Sequence, residues 1–152
     1  MMTTTLNGGR ARRRPWHLWA VGGLGALWNI YGCLDYTMTA LQGEVWLKSQ
    51  GMTDAAIAFT LEMPAWMTAV WAIGVWGGMA GCLLLLLRSQ WAFLVFVASL
   101  AAYVTSLFYQ MVLTNGSDLM PESSWIIQTV ILFICLSLVW YARMATRRGI
   151  LR

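Results

Sequence analysis

Four stretches of the chain carry apolar residues almost without interruption, at about 16–36, 65–87, 91–113 and 124–141. Each approaches the roughly 20 residues that an α-helix needs to cross the ~30 Å hydrocarbon core of a bilayer. Polar and apolar positions nowhere alternate over about ten residues, as the strands of a membrane β-barrel require. The 3.6-residue period is faint, as expected of helices that are apolar on most sides. Pro15, Pro64 and Pro121 precede the first, second and fourth stretches. A missing N–H does no harm at a helix start. The pattern predicts an all-α membrane protein, an antiparallel bundle of four transmembrane helices.

The connections carry their own signals. The only long one, about 37–63, includes "MTDAAIAFTLEMP". Thr53 stands there as a helix cap and Asp54 in the first turn. A short helix over 54–62 is expected, lying at the outer membrane interface, with Ile57 and Leu61 on one face. "TALQGEVWLKSQ" reads as an extension of the first span that Gly51 ends. "RSQ" forces a tight hairpin between the second and third spans, and Asn115-Gly116 supplies turn chemistry between the third and fourth.

Charge adds orientation. Of the 152 residues, 59% are hydrophobic and 11% charged, against about 25% charged in average soluble domains. Arg10, Arg12, Arg13, Arg14, Arg88, Arg143, Arg147, Arg148 and Arg152 all fall in segments 1–15, 88–90 and 142–152. Lys48 and the six acids, Asp35, Glu44, Asp54, Glu62, Asp118 and Glu122, fall on the opposite side. Arg and Lys mark the cytoplasmic side. Both termini are therefore expected in the cytoplasm, with 1–15 a flexible basic tail, 16–142 the transmembrane domain and 143–152 a basic C-terminal tail. The net charge of +4 then follows from topology. It calls for no nucleic-acid partner, and the Arg clusters suit anionic headgroups of the lipid bilayer. Trp16, Trp19, Trp91, Trp140 and Tyr141 form an inner aromatic belt, and Tyr36, Trp66, Tyr109 and Trp125 an outer one. The first apolar run is too long for a cleaved signal and reads as a retained span.

Small residues indicate how the spans meet. "GVWGGMAG" holds two GxxxG pairs, Gly74/Gly78 and Gly77/Gly81, and the first span carries Gly22, Ala26, Asn29 and then Gly32 or Cys33. Such residues let membrane helices approach closely. Spans one and two are expected to pack face to face. Cys33, Cys82 and Cys135 lie on three different spans and read as small packing residues rather than a disulfide framework.

Candidate chemistry is sparse. His17 is the only histidine, too few for bis-histidine haem or an ordinary zinc site. The outer methionines cluster only as Met63/Met67, a weak case for copper. No nucleotide loop, serine-nucleophile motif or zinc-protease motif occurs, so neither a metal nor a cofactor is expected. The polar residues within or beside the spans remain. Asp35 sits near the outer end of span one, with Asn29 six residues deeper, about 9 Å. Glu62 precedes span two. Tyr103 and Gln110 lie on span three, and Gln128 and Thr129 on span four. Ionisable groups at membrane depth are functional-site hypotheses. If these faces converge, an outer polar cavity results, with Asp35 and Glu62 holding a proton or cation and Asn29, Gln110 and Gln128 donating hydrogen bonds. Trp28 beside Asn29 adds a stacking surface suited to a sugar. The structural alternatives are interface wetting for Asp35 and Glu62, helix glue for Asn29 and gap filling for Trp28, Trp71 and Trp76.

"ALWNIYGCLDYTMT", "MPAWMTAVWAIGVWGG", "LLLLLRSQWA" and the terminal "RRGIL" together resemble a group of small bacterial four-span membrane proteins, some of which carry the automatic label "sugar transporter". The resemblance covers most of residues 16–152. It implies a bacterial inner membrane and no particular catalytic residue. Three functions fit. The first is handling of a small polar solute, which in a four-span protein requires a homo-oligomer. The second is an accessory or assembly role within a larger membrane complex. A quinone-linked redox protein comes third, with no motif behind it.

Overall fold

The computed structural model describes residues 15–114 and 123–152. Those residues form helices and connecting turns. α1 is Trp16–Gln42, α2 Glu44–Ser49, α3 Asp54–Leu61, α4 Ala65–Leu86, α5 Trp91–Phe108 and α6 Ser123–Arg147. α5 runs on into a π-helical turn, Tyr109–Leu113. Three helical segments are long and apolar enough to cross a membrane: Ala65–Leu86, Trp91–Leu113 and Ser124–Arg147. α1 is longer, at 27 residues, but His17, Asn29, Asp35 and its several Gly, Trp and Tyr residues dilute its apolar character. The basic segment 1–14, the Asn115-Gly116 turn, Asp118, Pro121 and Glu122 lie outside the described residues.

The chain departs from the expected boundaries at two places. α1 runs to Gln42 rather than ending near Tyr36. It then breaks at Gly43 (φ +50°), and the short α2 follows before Gly51 (φ +78°). The extension expected to end at Gly51 is thus two helices. α6 continues to Arg147 rather than stopping at Tyr141. The break and the continuation share one cause. A glycine at positive φ ends a helix at little cost, whereas Ala142, Arg143, Met144 and Ala145 are good helix formers.

α3 forms where its cap predicts. Thr53 Oγ1 accepts from the Ala56 amide at 3.3 Å. Its buried residues are Ala56 and Ile57. Leu61, expected to share a face with Ile57, is exposed, its side chain lying beside Gly43 at the α1–α2 break.

α4 is the central helix, with α1 on one side and α5 on the other. The two GxxxG pairs divide between these neighbours. Gly78 abuts the Asn29 side chain of α1, while Gly77 lies against Ser99 and Gly81 against the Phe96 ring of α5. Gly74 also faces α5, at Ala102. The expectation that α1 packs on α4 holds through Gly78, but the Gly77/Gly81 pair serves a different helix. Adjacent helical residues point about 100° apart, so one helix offers close approach on two sides. A Cβ on Gly81 would sit 2.6 Å from the Phe96 ring, too near for any side chain. α6 packs on α5 and touches α1 through Leu138, which lies against Gly25.

The hydroxyls on the outer faces of the long helices bond to their own backbone. Thr105 donates to Ala101 O at 2.9 Å, Thr129 to Trp125 O at 2.8 Å and Ser137 to Phe133 O at 2.7 Å. A hydroxyl facing hydrocarbon must find such a partner, since no water is there to supply one. Large apolar side chains, among them Leu24, Ile126 and Phe133, lie exposed beside them.

Candidate functional site

Of the five residues expected to line one polar cavity, Gln110 and Gln128 meet, while Asn29, Asp35 and Glu62 stand elsewhere. Asn29 Nδ2 donates to Gly25 O at 2.8 Å and toward Cys82 Sγ at 3.7 Å. Its other amide atom, Oδ1, abuts Gly78. Both ends of this amide are engaged at the α1–α4 contact. Asp35 accepts a hydrogen bond from Trp46 Nε1 at 2.9 Å. That bond ties α2 back onto α1, across the break at Gly43. Glu62 is the exposed C-cap of α3.

Gln110 and Gln128 come together, and Tyr103 joins them. Tyr103 Oη donates a proton shared between Gln128 O and Gln128 Oε1, each at 2.7 Å. Gln128 Nε2 donates to Gln110 Oε1 at 3.3 Å. Tyr103 and Gln110 are seven residues apart, two helical turns, and so fall on the same side of α5. The π-helical turn orients the second of them. Thr114 N and Oγ1 both donate to Tyr109 O, at 3.1 and 3.0 Å. The Tyr109 ring is buried against Trp66 (centroids 5.4 Å apart, edge-on) and Phe59 (6.2 Å). With Tyr109 held toward α3 and α4, its neighbour Gln110 turns toward α6. π-helical turns are frequent at functional sites. Gln110 Nε2 has no hydrogen-bond partner among the described residues, and Gln110 is half-buried rather than sealed. The cluster therefore offers amide N–H donors beside a phenol. It carries no formal charge, and it suits hydroxyl or carbonyl oxygens of a neutral solute.

The aromatic candidates do not assemble around Asn29. Trp28 and Trp76 are exposed. Trp71 packs edge-on against Tyr36, with centroids 4.9 Å apart. Met67 is buried. No three His, Cys, Asp or Glu side chains converge among the described residues.

Outside the long helices, one charged group shifts another. Lys48 Nζ lies 2.6 Å from Glu44 Oε1 and 3.7 Å from Asp54 Oδ1. The hydrogen bond from Lys48 lowers the Glu44 carboxyl below its usual value, and the same bond raises the Lys48 ammonium.

Several structural contacts escaped the sequence. His17 Nδ1 and Tyr141 Oη hydrogen-bond at 2.5 Å, joining α1 to α6. Ser99 Oγ donates to Gly74 O at 2.6 Å, joining α5 to α4. Thr39 is the exception among the described threonines. Its Oγ1 is buried with no hydrogen-bond partner. Periodicity locates none of these, because each depends on the rotation of one helix against another.

Comparison with protein-family models, curated proteins and solved structures yields no match. The fold and the site geometry therefore carry the functional reading alone.

Proposed function

We propose that the chain is a four-span protein of a bacterial inner membrane, with both termini cytoplasmic, that handles a small uncharged polar solute. α1 supplies the fourth span in this reading. Its 27 residues extend about 40 Å at 1.5 Å per residue, more than the ~30 Å that hydrocarbon requires. The partition of Arg and acidic residues supports the orientation.

The observation that carries the solute reading is the Tyr103–Gln128–Gln110 cluster, in which Gln110 Nε2 donates to none of the described residues. Buried or half-buried amides specify oxygen-bearing ligands through paired donors and acceptors. Asn29 and Asp35 stand apart from this cluster, bonded to Gly25, Cys82 and Trp46. Glu62 stays at the rim. Four spans per chain imply a homo-oligomer for transport.

The test is a thermal-shift titration of detergent-purified protein with a panel of sugars and polyols. A ligand of the native state raises the unfolding midpoint by mass action. The expected result is a shift in wild type that Gln110→Ala and Gln128→Ala abolish and Asp35→Asn leaves in place. A second reading, an accessory subunit of a larger membrane complex, is favoured by the internal engagement of Asn29 and Asp35. Absence of any shift, together with copurification of stoichiometric partner subunits from native membranes, would establish it instead.

A further inference from the structure

The exposed face of α6 carries a graded stripe. Phe133, Leu136, Trp140, Arg143 and Arg147 recur at spacings of three and four residues, and all are exposed. The order along the stripe is apolar, then aromatic, then basic. From Trp140 to Arg143 the helix rises about 4.5 Å, and to Arg147 about 10 Å. A bilayer changes in the same sequence, since its headgroup layer occupies roughly 5–8 Å on each side of the hydrocarbon.

Among the described residues, no Asp or Glu stands at the end of the bundle that carries Arg143 and Arg147. The described acids, Asp35, Glu44, Asp54 and Glu62, stand on α1 near its C-terminal end, on α2 and on α3 or at its end, at the opposite end of the bundle. Lys48 pairs there with Glu44 and Asp54. The other described cations beside the stripe, Arg88, Arg148 and Arg152, add positive charge of the same sign. Arg88 Nε is already committed to Ile150 O, at 2.9 Å. A guanidinium fork matches the geometry of a phosphate, and an indole ring prefers the depth between headgroup and acyl chain.

We propose that this stripe is a binding site for an anionic phospholipid. Arg143 and Arg147 hold the phosphate, Trp140 packs on the glycerol region, and an acyl chain lies along Leu136 and Phe133. The proposal rests on α6 as a membrane span and is independent of the solute site, which faces α5 at the other end.

The experiment uses the full chain, purified in a nonionic detergent and titrated with phosphatidylglycerol or phosphatidylcholine. Unfolding midpoints and native mass spectra are read together. Phosphatidylglycerol should raise the midpoint and remain bound, with an apparent affinity at least tenfold above that of phosphatidylcholine. The double variant Arg143→Gln/Arg147→Gln should lose this preference, while Lys48→Gln keeps it. Trp140→Ala leaves both charges and should weaken binding of both lipids, so the site stays testable if the double variant does not fold. Equal response to the two lipids, or a preference unchanged by the Arg variants, would overturn the proposal. So would a wild-type dimer that the Arg variants convert to monomer without lipid, which would assign the stripe to a second copy of the chain.

Discussion

The two ends of the bundle are built differently. At the Arg-rich end, Leu18, Leu85, Ala92, Tyr141, Ala142, Ala145 and Leu151 bury one another almost completely. Hydrogen bonds between distant segments fasten this end. After Gly149 (φ +64°) the chain folds back, with Ile150 N donating to Ala145 O at 2.9 Å. Arg152 N then donates to Arg88 O at 2.7 Å, and Gln90 N to Arg152 O at 3.0 Å. The last residues thus clip onto the turn between α4 and α5. Among the described residues the opposite end shows no equivalent clip. It is held by edge-on aromatic contacts around Tyr109, by the Asp35–Trp46 bond and by the Tyr103 cluster. One end is locked by a sealed apolar core. The other combines a smaller buried apolar set, Leu47, Ala56, Ile57 and Met67, with these polar and aromatic contacts.

The largest expected effect tests the close approach that both ends depend on. Gly78→Leu drives a side chain into Asn29, which α1 cannot yield without leaving α4. Overpacking commonly costs about 1–3 kcal/mol, and this case should reach or exceed the upper limit, seen as loss of monodisperse protein. Gly23→Leu should be neutral, because a Cβ there meets nothing within 4 Å. Equal damage from both would mean that α1 has another partner.

Paired truncations sharpen the contrast between the ends. Leu85 and Met67 are both buried, one at each end. Large-to-alanine changes in cores cost about 2–5 kcal/mol, according to how far the site collapses. Leu85→Ala should fall near the upper limit, because its neighbours are fastened. Met67→Ala should fall near the lower one, because the loop end can close around the gap. Thermal unfolding of the two variants in one detergent decides the point. Matching losses would show the loop end to be as rigid as the other.

Much of this architecture is legible in the sequence, and the rest fails for identifiable reasons. Of the four apolar runs, three match helices long and apolar enough to cross a membrane, and Thr53 gives the start of α3. The Gly-rich stretch of α4 announces close packing but not its direction, because Gly77 and Gly78 point to different helices. The clip at the C-terminal end was read as a basic tail, since Arg147 and Arg148 conceal that Gly149 turns the chain and Leu151 is buried. At the candidate site, Gln110 and Gln128 were legible as polar residues at similar depth, and Tyr103 as a deeper neighbour. Their meeting, and the separation of Asn29 and Asp35 from them, depends on helix rotation. Hydropathy does not encode that rotation.

A smaller effect has the opposite sign. Every other described threonine makes a hydrogen bond with its hydroxyl, whereas Thr39 Oγ1 is buried without one. A desolvated, unpaired polar group costs about 1–3 kcal/mol. Thr39→Val keeps the shape and removes the hydroxyl, so it should stabilise the protein by about 1 kcal/mol. Destabilisation instead would indicate that the hydroxyl bonds a water or ligand at the loop end, and would add Thr39 to the groups that hold that end together.

The smallest effect is electrostatic and again belongs to the loop end alone. The Glu44 carboxyl is lowered by its hydrogen bond from Lys48. A group lowered on folding stabilises the native state above its ordinary titration range, and that support disappears as pH falls through the lowered value. The raised Lys48 ammonium gives the mirror case. Its support is present below the ordinary lysine range and is lost as pH rises through the raised value. Both side chains are more than half exposed, so salt screens the pair and its contribution is slight. The unfolding midpoint should therefore dip at both extremes of pH, and the dips should shrink in high salt. Glu44→Gln should remove the acid-side dip that Glu44 causes. An acid-side dip unchanged in Glu44→Gln would place the responsible carboxylate elsewhere.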